Sequence, residues 1–297
     1  MNYVITGSLG HISEPVVEQL VAANHNVTVI TSNAERVATI EALGAKALVG
    51  IVEDAAFINT AFAGADVVYL MIPPKFDVKS QWLDYQKKVA DNYVAAVKSN
   101  NVNHIVVLSS IGAHLGTGAG PVNGVSYLET KLTEAGVNAK FLRPGYFFYN
   151  FFSMLGMAKH AGILGSNFGG DDSKLVMSDP SDIAVVAAEE LLNPTFTGQS
   201  VRYISSDERT GAEIAAVLGK AIGKPEIPWV PFTDEQATEG MQQAGLPETI
   251  INGYVEMGAS IRSGKFSEDY WKNRPATFGK TKLEDFAAQF AHAYNAQ

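Results

Sequence analysis

Gly7-Ser8-Leu9-Gly10-His11-Ile12-Ser13 follows directly on the β-rich run 2–7 and opens an apolar stretch at helical spacing. A glycine turn between a strand and a helix can receive a dinucleotide pyrophosphate. That ligand needs a tight turn, a close backbone approach and a helix N-terminus aimed at its charge. Gly7 supplies the turn and Gly10 the approach, with Ser13 where a third glycine is usual. No Gly-Lys-Ser/Thr follows, so the loop is not of the nucleoside-triphosphate type. The second β-rich run ends Val29-Ile30-Thr31-Ser32-Asn33, with no acid before Glu35. An acid there would bond the adenosine ribose and repel a 2′-phosphate. Neutral Thr31, Ser32 and Asn33, with Arg36 close behind, favour NADP(H) over NAD(H).

Further along, Tyr127 and Lys131 stand four apart, the spacing at which a lysine lowers a tyrosine's pKa and the phenol gives its proton to a carbonyl oxygen. In a chain with 11 tyrosines that spacing also arises by chance. Ser109 and Ser110 close a β-rich run where substrate is expected in an open α/β sheet, and either could hydrogen-bond a carbonyl oxygen. The run Tyr146, Phe147, Phe148, Tyr149, Phe151 and Phe152 reads mainly as core. Tyr146 and Phe147, coming straight off a strand end, are the members expected to wall an apolar substrate pocket. His11, His114 and His160 show no metal-ligand spacing, so no metal is expected. There is no cysteine, which removes thiolate chemistry, and no G-x-S-x-G hydrolase signature.

The elements that must position these residues alternate. Strands are predicted at 2–7, 26–31, 45–49, 66–72, 103–109 and 138–143, and helices at 14–23, 34–43, 54–62, 79–99 and 122–135. The strands are continuous apolar runs, the mark of a parallel sheet covered on both faces. The expected fold is α/β: a doubly wound, Rossmann-type parallel sheet over residues 1–150, with a smaller, helix-rich substrate domain over 151–297 that partly returns to the main sheet. Helices are predicted there at 180–192, 210–222, 233–244, 247–262 and 282–294, a strand at 200–205 and an extended, proline-rich segment at 225–232. The chain has 297 residues, enough for one large or two smaller domains. Lys and Arg number 22 against 31 Asp and Glu, a net charge of −9, which disfavours a nucleic-acid partner. No signal peptide or membrane-length apolar run is read, so a cytoplasmic protein off the membrane is expected. A homodimer is left open.

The loop TGSLGHIS, the runs VVYLMIPP and VVLSSIGAH, the segment EAGVNAKFLRPGYFFYNFF and the stretch VMSDPSDIAVVAAEELL together resemble the NmrA-like branch of the atypical short-chain dehydrogenases/reductases, including its quinone oxidoreductases. The resemblance runs over nearly the whole chain. It implies that the loop Gly7, Ser8, Leu9, Gly10, His11 and Ile12 holds a pyrophosphate, and that Thr31, Ser32, Asn33 and Arg36 surround the adenosine ribose. Many relatives carry Arg at the position of Ser32. Ile51 stands where relatives often place an adenine-contacting Asp, which leaves a backbone contact. Met71, Ile72 and Pro73 would flank the inner ribose and nicotinamide, with Pro144, Gly145, Tyr146 and Phe147 on the carboxamide side. Counted back from Arg143, Glu129 and Leu132 fall on the family's helix positions. The family's lysine then falls at Val125 and its tyrosine near Pro121, which sets Tyr127 and Lys131 off the catalytic register. The expected activity is NAD(P)H-dependent hydride transfer to a quinone or similar electrophilic carbonyl. A non-catalytic NAD(P)H-sensing regulator is the main alternative, and a sugar-nucleotide epimerase or dehydratase a weaker one.

Overall fold

The computed structural model describes residues 1–77, 81–170 and 174–296. Its strands are β1 (Asn2–Ile5), β2 (Asn26–Thr31), β3 (Lys46–Val49), β4 (Val67–Leu70), β5 (His104–Leu108), β6 (Ala139–Pro144), β7 (Tyr146–Phe147), β8 (Leu164–Ser166), β9 (Leu175–Ser178), β10 (Gln199–Ile204), β11 (Asp207–Arg209) and β12 (Trp229–Pro231). Its helices are α1 (Ser13–Ala22), α2 (Val37–Ala42), α3 (Ala55–Ala61), α4 (Trp82–Ser99), α5 (Val122–Glu134), α6 (Pro180–Leu192), α7 (Gly211–Ala221), α8 (Asp234–Gln243), α9 (Glu248–Arg262), α10 (Glu268–Lys272) and α11 (Leu283–Ala296). The chain packs as two units. The first holds Met1–Gly116, Val122–Arg143 and Ile183–Arg202, and the second holds Thr117–Pro121, Pro144–Asp182 and Tyr203–Gln297.

The first unit is built on a seven-stranded sheet in the order β10-β6-β5-β4-β1-β2-β3. The pairs β1–β2, β2–β3, β1–β4, β4–β5 and β5–β6 are all parallel. Val67, Val68, Tyr69 and Leu70 of β4 are wholly buried, as are Ile105, Val106 and Val107 of β5. Strands covered on both faces need such unbroken apolar runs, and this is why they were legible. From β1 the order proceeds one way to β2 and β3 and the other way to β4, β5 and β6. The loops after β1 and β4 therefore diverge, which opens the crevice used for ligands in sheets of this kind.

Local chemistry sets the element ends. Asp54 caps α3 by accepting from the N–H groups of Ala56 and Phe57 at 2.9 and 3.1 Å. The helix expected over 34–43 resolves into a 3₁₀ turn, Ala34–Arg36, followed by α2. The Asn33 side chain caps that turn by accepting from Glu35 N–H at 2.9 Å. The helix expected from residue 79 is described from Trp82; residues 79 and 80 lie outside the described part of the chain.

The second unit is less purely helical than its sequence reads. It contains a three-stranded sheet, β11-β9-β7, and a two-stranded one, β12-β8. Strands β7, β8, β9 and β11 are two to four residues long, too short for a periodicity to register. Phe148 and Phe151 are wholly buried in a cluster with Leu218, Phe286 and Phe290. The aromatic run after β6 thus packs with the C-terminal helices, and it lies in the stretch Pro144–Asp182 of the second unit.

Candidate functional site

The first unit carries the glycine loop at the divergence of β1 and β4. Thr6, wholly buried, donates its hydroxyl to the Tyr69 carbonyl at 3.0 Å and accepts from Met71 N–H at 2.8 Å. The two glycines of the loop then differ in kind. Gly7 has φ +92°, and a Cβ there would lie 2.8 Å from Met71 Cγ and 3.2 Å from Ser13 Oγ. Its glycine is required by the protein itself. Gly10 is exposed, and a Cβ there would meet nothing within 4 Å except the Gly7 carbonyl oxygen at 3.6 Å. No packing explains that glycine, so the space above it is a cradle that a side chain would fill. The residues present therefore fit a dinucleotide pyrophosphate.

Around the cradle, Leu9 and Ile12 are buried and anchor the loop, while His11 is exposed. Helix α1 starts behind Ile12 without a side-chain cap and turns the positive end of its dipole to the loop; in its first turn Pro15 has no N–H and the Glu14 N–H is taken by the Gly10 carbonyl at 3.0 Å. Ser8 sits at φ +56°. It is held there by its N–H on the Ile30 carbonyl at 3.1 Å and by its hydroxyl on Thr31 Oγ1 at 3.0 Å. Thr31, expected among the donors around the adenosine ribose, is buried, and its hydroxyl engages Ser8 and the Asn33 backbone. Ser32, Asn33 and Arg36 remain exposed. Arg36 Nη1 donates to the Leu9 carbonyl at 2.7 Å, which brings the guanidinium onto the glycine loop. Ile51 is half exposed at the end of the neighbouring strand.

Met71, Ile72 and Pro73 leave β4 half buried, and two phenols that the sequence reading missed hold them. Tyr93 donates to the Met71 carbonyl and Tyr85 to the Pro73 carbonyl, each at 3.0 Å. Burial pushes both phenols up, so both stay protonated donors. Their signal was the apolar face of α4, on which Trp82, Tyr85, Val89 and Tyr93 are buried.

The expected catalytic residues do not gather. Tyr127 donates to Asp91 Oδ1 at 2.9 Å and Lys131 pairs with Glu134 at 2.7 Å, both in exposed settings. Ser109, expected as a hydroxyl that could bond a carbonyl oxygen, is buried and donates to Glu129 Oε1 at 2.5 Å. Glu129 also takes a two-point grip from buried Arg143, with Nη2–Oε2 at 2.6 Å and Nε–Oε1 at 3.1 Å. Ser110 is half buried and donates to the Ile111 carbonyl at 2.8 Å. Among the described residues no His/Asp/Glu group could hold a metal ion, and no helix is long and apolar enough to cross a membrane.

In the second unit Pro144 and Gly145 are buried. The Gly145 N–H meets the Ile204 carbonyl at 3.1 Å and Ser178 Oγ at 2.8 Å. Tyr146 and Phe147 are half buried. The Tyr146 ring lies 5.4 Å from Phe151 and 5.3 Å from Phe168, and Phe147 lies 5.3 Å from Tyr149.

This doubly wound sheet, with a glycine cradle at its strand-order reversal, defines a Rossmann-type nucleotide-binding fold. The chain belongs to the NmrA-like family, whose model matches residues 2–228. It is similar to an NAD(P)H azoreductase of Xenophilus azovorans, with 25% identity over 86% of each chain. Among solved structures it resembles the NADPH-dependent quinone oxidoreductase QOR2 of Escherichia coli, at TM-score 0.78 and 20% identity over 97% of this chain and 98% of that one. It also resembles NmrA, a negative transcriptional regulator in complex with NADP, at TM-score 0.72 and 12% identity over 99% of this chain and 97% of that one.

Two predictions follow from the packing. Gly7→Ala puts a side chain into the left-handed region and against Met71, and should cost about 1–3 kcal/mol of stability in a denaturant titration. Glu129→Ala strands a buried guanidinium and should cost about 3–5 kcal/mol, whereas Glu129→Leu combined with Arg143→Met should recover most of the loss.

Proposed function

We propose that the chain is an NAD(P)H-dependent reductase that delivers hydride to a quinone or similar electrophilic carbonyl. The observation that carries the reading is the open cradle at Gly10, which the protein's own packing does not require. The printed activities of the azoreductase and of the quinone oxidoreductase support it.

Gly10, with the backbone of Leu9, His11 and Ile12, holds the pyrophosphate at the start of α1, while Ser8, whose N–H and hydroxyl are spent on β2, shapes the turn beneath it. Ser32, Asn33 and Arg36 face the adenosine ribose, and Ile51 borders the adenine. Met71, Ile72 and Pro73, fixed from behind by Tyr85 and Tyr93, flank the inner ribose. Pro144, Tyr146 and Phe147, in the other unit, enter the proposal on the family resemblance alone. The bound dinucleotide supplies the hydride. Ser110 is the strand-end hydroxyl assigned to meet an acceptor oxygen, by exchanging its bond to the Ile111 carbonyl, because Ser109 is committed to buried Glu129. A quinone is electrophilic enough for positioning to supply much of the rate. A second reading, a dinucleotide-sensing regulator without turnover, is favoured by one observation: Tyr127 is bound to Asp91 on an exposed helix face.

NADPH oxidation against a panel of quinones and aldehydes decides between the two readings. Turnover supports the reductase, and tight NADPH binding without turnover across the panel supports the regulator. Gly10→Val should leave the fold intact and weaken NADPH by about tenfold or more, or about 1.4 kcal/mol; unchanged affinity removes the basis of both readings. NADPH should bind more tightly than NADH at equal ionic strength, and Arg36→Ala should narrow the gap. Tyr127→Phe should change kcat by less than about fivefold, where a true general acid would cost ~10²–10⁴.

A further inference from the structure

The turn that leaves β5 is fixed at both ends by one face of α5. At its start the Ser109 hydroxyl is bound to Glu129, which Arg143 grips at two points. At its far end the Ala113 carbonyl accepts from the buried Ser126 hydroxyl at 2.6 Å. Ser126 and Glu129 stand three apart and are therefore neighbours on the helix surface. Between the two anchors the chain reverses tightly. The Ala113 N–H meets the Ser110 carbonyl at 3.2 Å. Gly112 stands at φ +88°, ψ −13°, the third position of a type II turn, which favours glycine. Helix α5 is closely seated in turn, since a side chain at Gly124 would overlap Gln86 of α4. The half-buried Ser110 lies inside this clamped turn, its hydroxyl resting on the Ile111 carbonyl at 2.8 Å. Every one of these residues belongs to the first unit.

We propose that Ser126 and Glu129 are positioning residues: they hold the Ser110 oxygen still while its hydrogen turns from the Ile111 carbonyl to the carbonyl oxygen of the acceptor. The proposal rests on the reductase reading and gives a task to two α5 residues which that reading leaves unused. A hydroxyl hydrogen rotates without moving its oxygen. The exchange of one carbonyl for another therefore needs no movement of the chain, provided the turn is held at both ends. A donor fixed beforehand also needs no reorganisation as negative charge grows on the acceptor oxygen. With the Ala113 end released, the hydroxyl would have to be ordered anew at each turnover. The bond is stronger in the transition state than in the bound ground state, so the clamp acts on kcat more than on KM.

The test is a double-mutant cycle in the full-length protein, with NADPH and naphthoquinone as the reactants. Ser126→Ala and Ser110→Ala are measured alone and combined. Ser126→Ala should lower kcat about three- to tenfold, change KM for naphthoquinone by less than about twofold and leave NADPH affinity unchanged. In the Ser110→Ala background the same substitution should leave kcat unchanged, because no hydroxyl remains to be positioned. Ser109→Ala releases the other end of the turn while keeping the Glu129–Arg143 pair, and should show the same dependence on Ser110. It carries the test if Ser126→Ala does not fold. Additive losses in both cycles overturn the proposal, because the two serines then act through the fold at large. Failure of both clamp variants to fold overturns it for the same reason. If wild type holds NADPH but reduces no quinone, the reductase reading fails and this proposal with it. If wild type turns over and Ser110→Ala is equally fast, the positioning proposal alone is overturned.

Discussion

The hydroxyl of Thr6 joins the ends of β1 and β4 at the point where their loops part. It donates to the Tyr69 carbonyl, which also accepts from the Thr6 N–H, and it accepts from Met71 N–H, so one wholly buried side chain extends the pairing one step past the end of the ladder. Everything around the cradle depends on this brace. Met71 lies directly beneath Gly7 and excludes any side chain there. The turn that Gly7 permits hands the chain to Ser8 in a left-handed conformation, which β2 holds from two sides. A strained residue persists only when its surroundings over-determine it. Here the strain serves to leave Gly10 facing open space.

A second buried device fixes the other side of the sheet. The Glu129 carboxylate collects Arg143 from β6 and Ser109 from the end of β5, and so pins α5 to two strand ends. A desolvated pair of this kind contributes little net stability against an apolar substitute, and its bonds mark the register in which α5 lies on the sheet. That register turns Tyr127 and Lys131 towards exposed Asp91 and Glu134. The pair that looks reactive in the sequence is thus kept outside by a pair that looks like ordinary surface charge.

That inversion indicates what a sequence can and cannot disclose. The strands were legible because full burial demands unbroken apolar runs, and the cradle because a strand, a glycine and a helix start are adjacent in the chain. The hydroxyl assignments were not. Ser109 finds its acceptor 20 residues away and Ser8 its partner 23 away, and neither distance leaves a periodicity. Nor does composition separate a glycine required by φ, such as Gly7, from one with no structural reason, such as Gly10. The short strands β7, β8, β9 and β11 form through pairing with one another or with β12, and that pairing is information their own few residues do not contain.

Arg36 shows how far such reasoning reaches into specificity. Its guanidinium has five N–H donors, and one is spent on the Leu9 carbonyl. The contact carries the positive charge from the β2 side onto the glycine loop. A cation placed there attracts the pyrophosphate that NADH and NADPH share, as well as the 2′-phosphate that separates them. On the proposed reading the same residue would raise both affinities, and only the difference between the two interactions would discriminate. Ser32 and Asn33, the other exposed groups at this strand end, are neutral and would repel neither cofactor. A preference for NADPH would then rest on attraction by a guanidinium already tethered to the loop, and would be smaller than a pocket built around the 2′-phosphate gives.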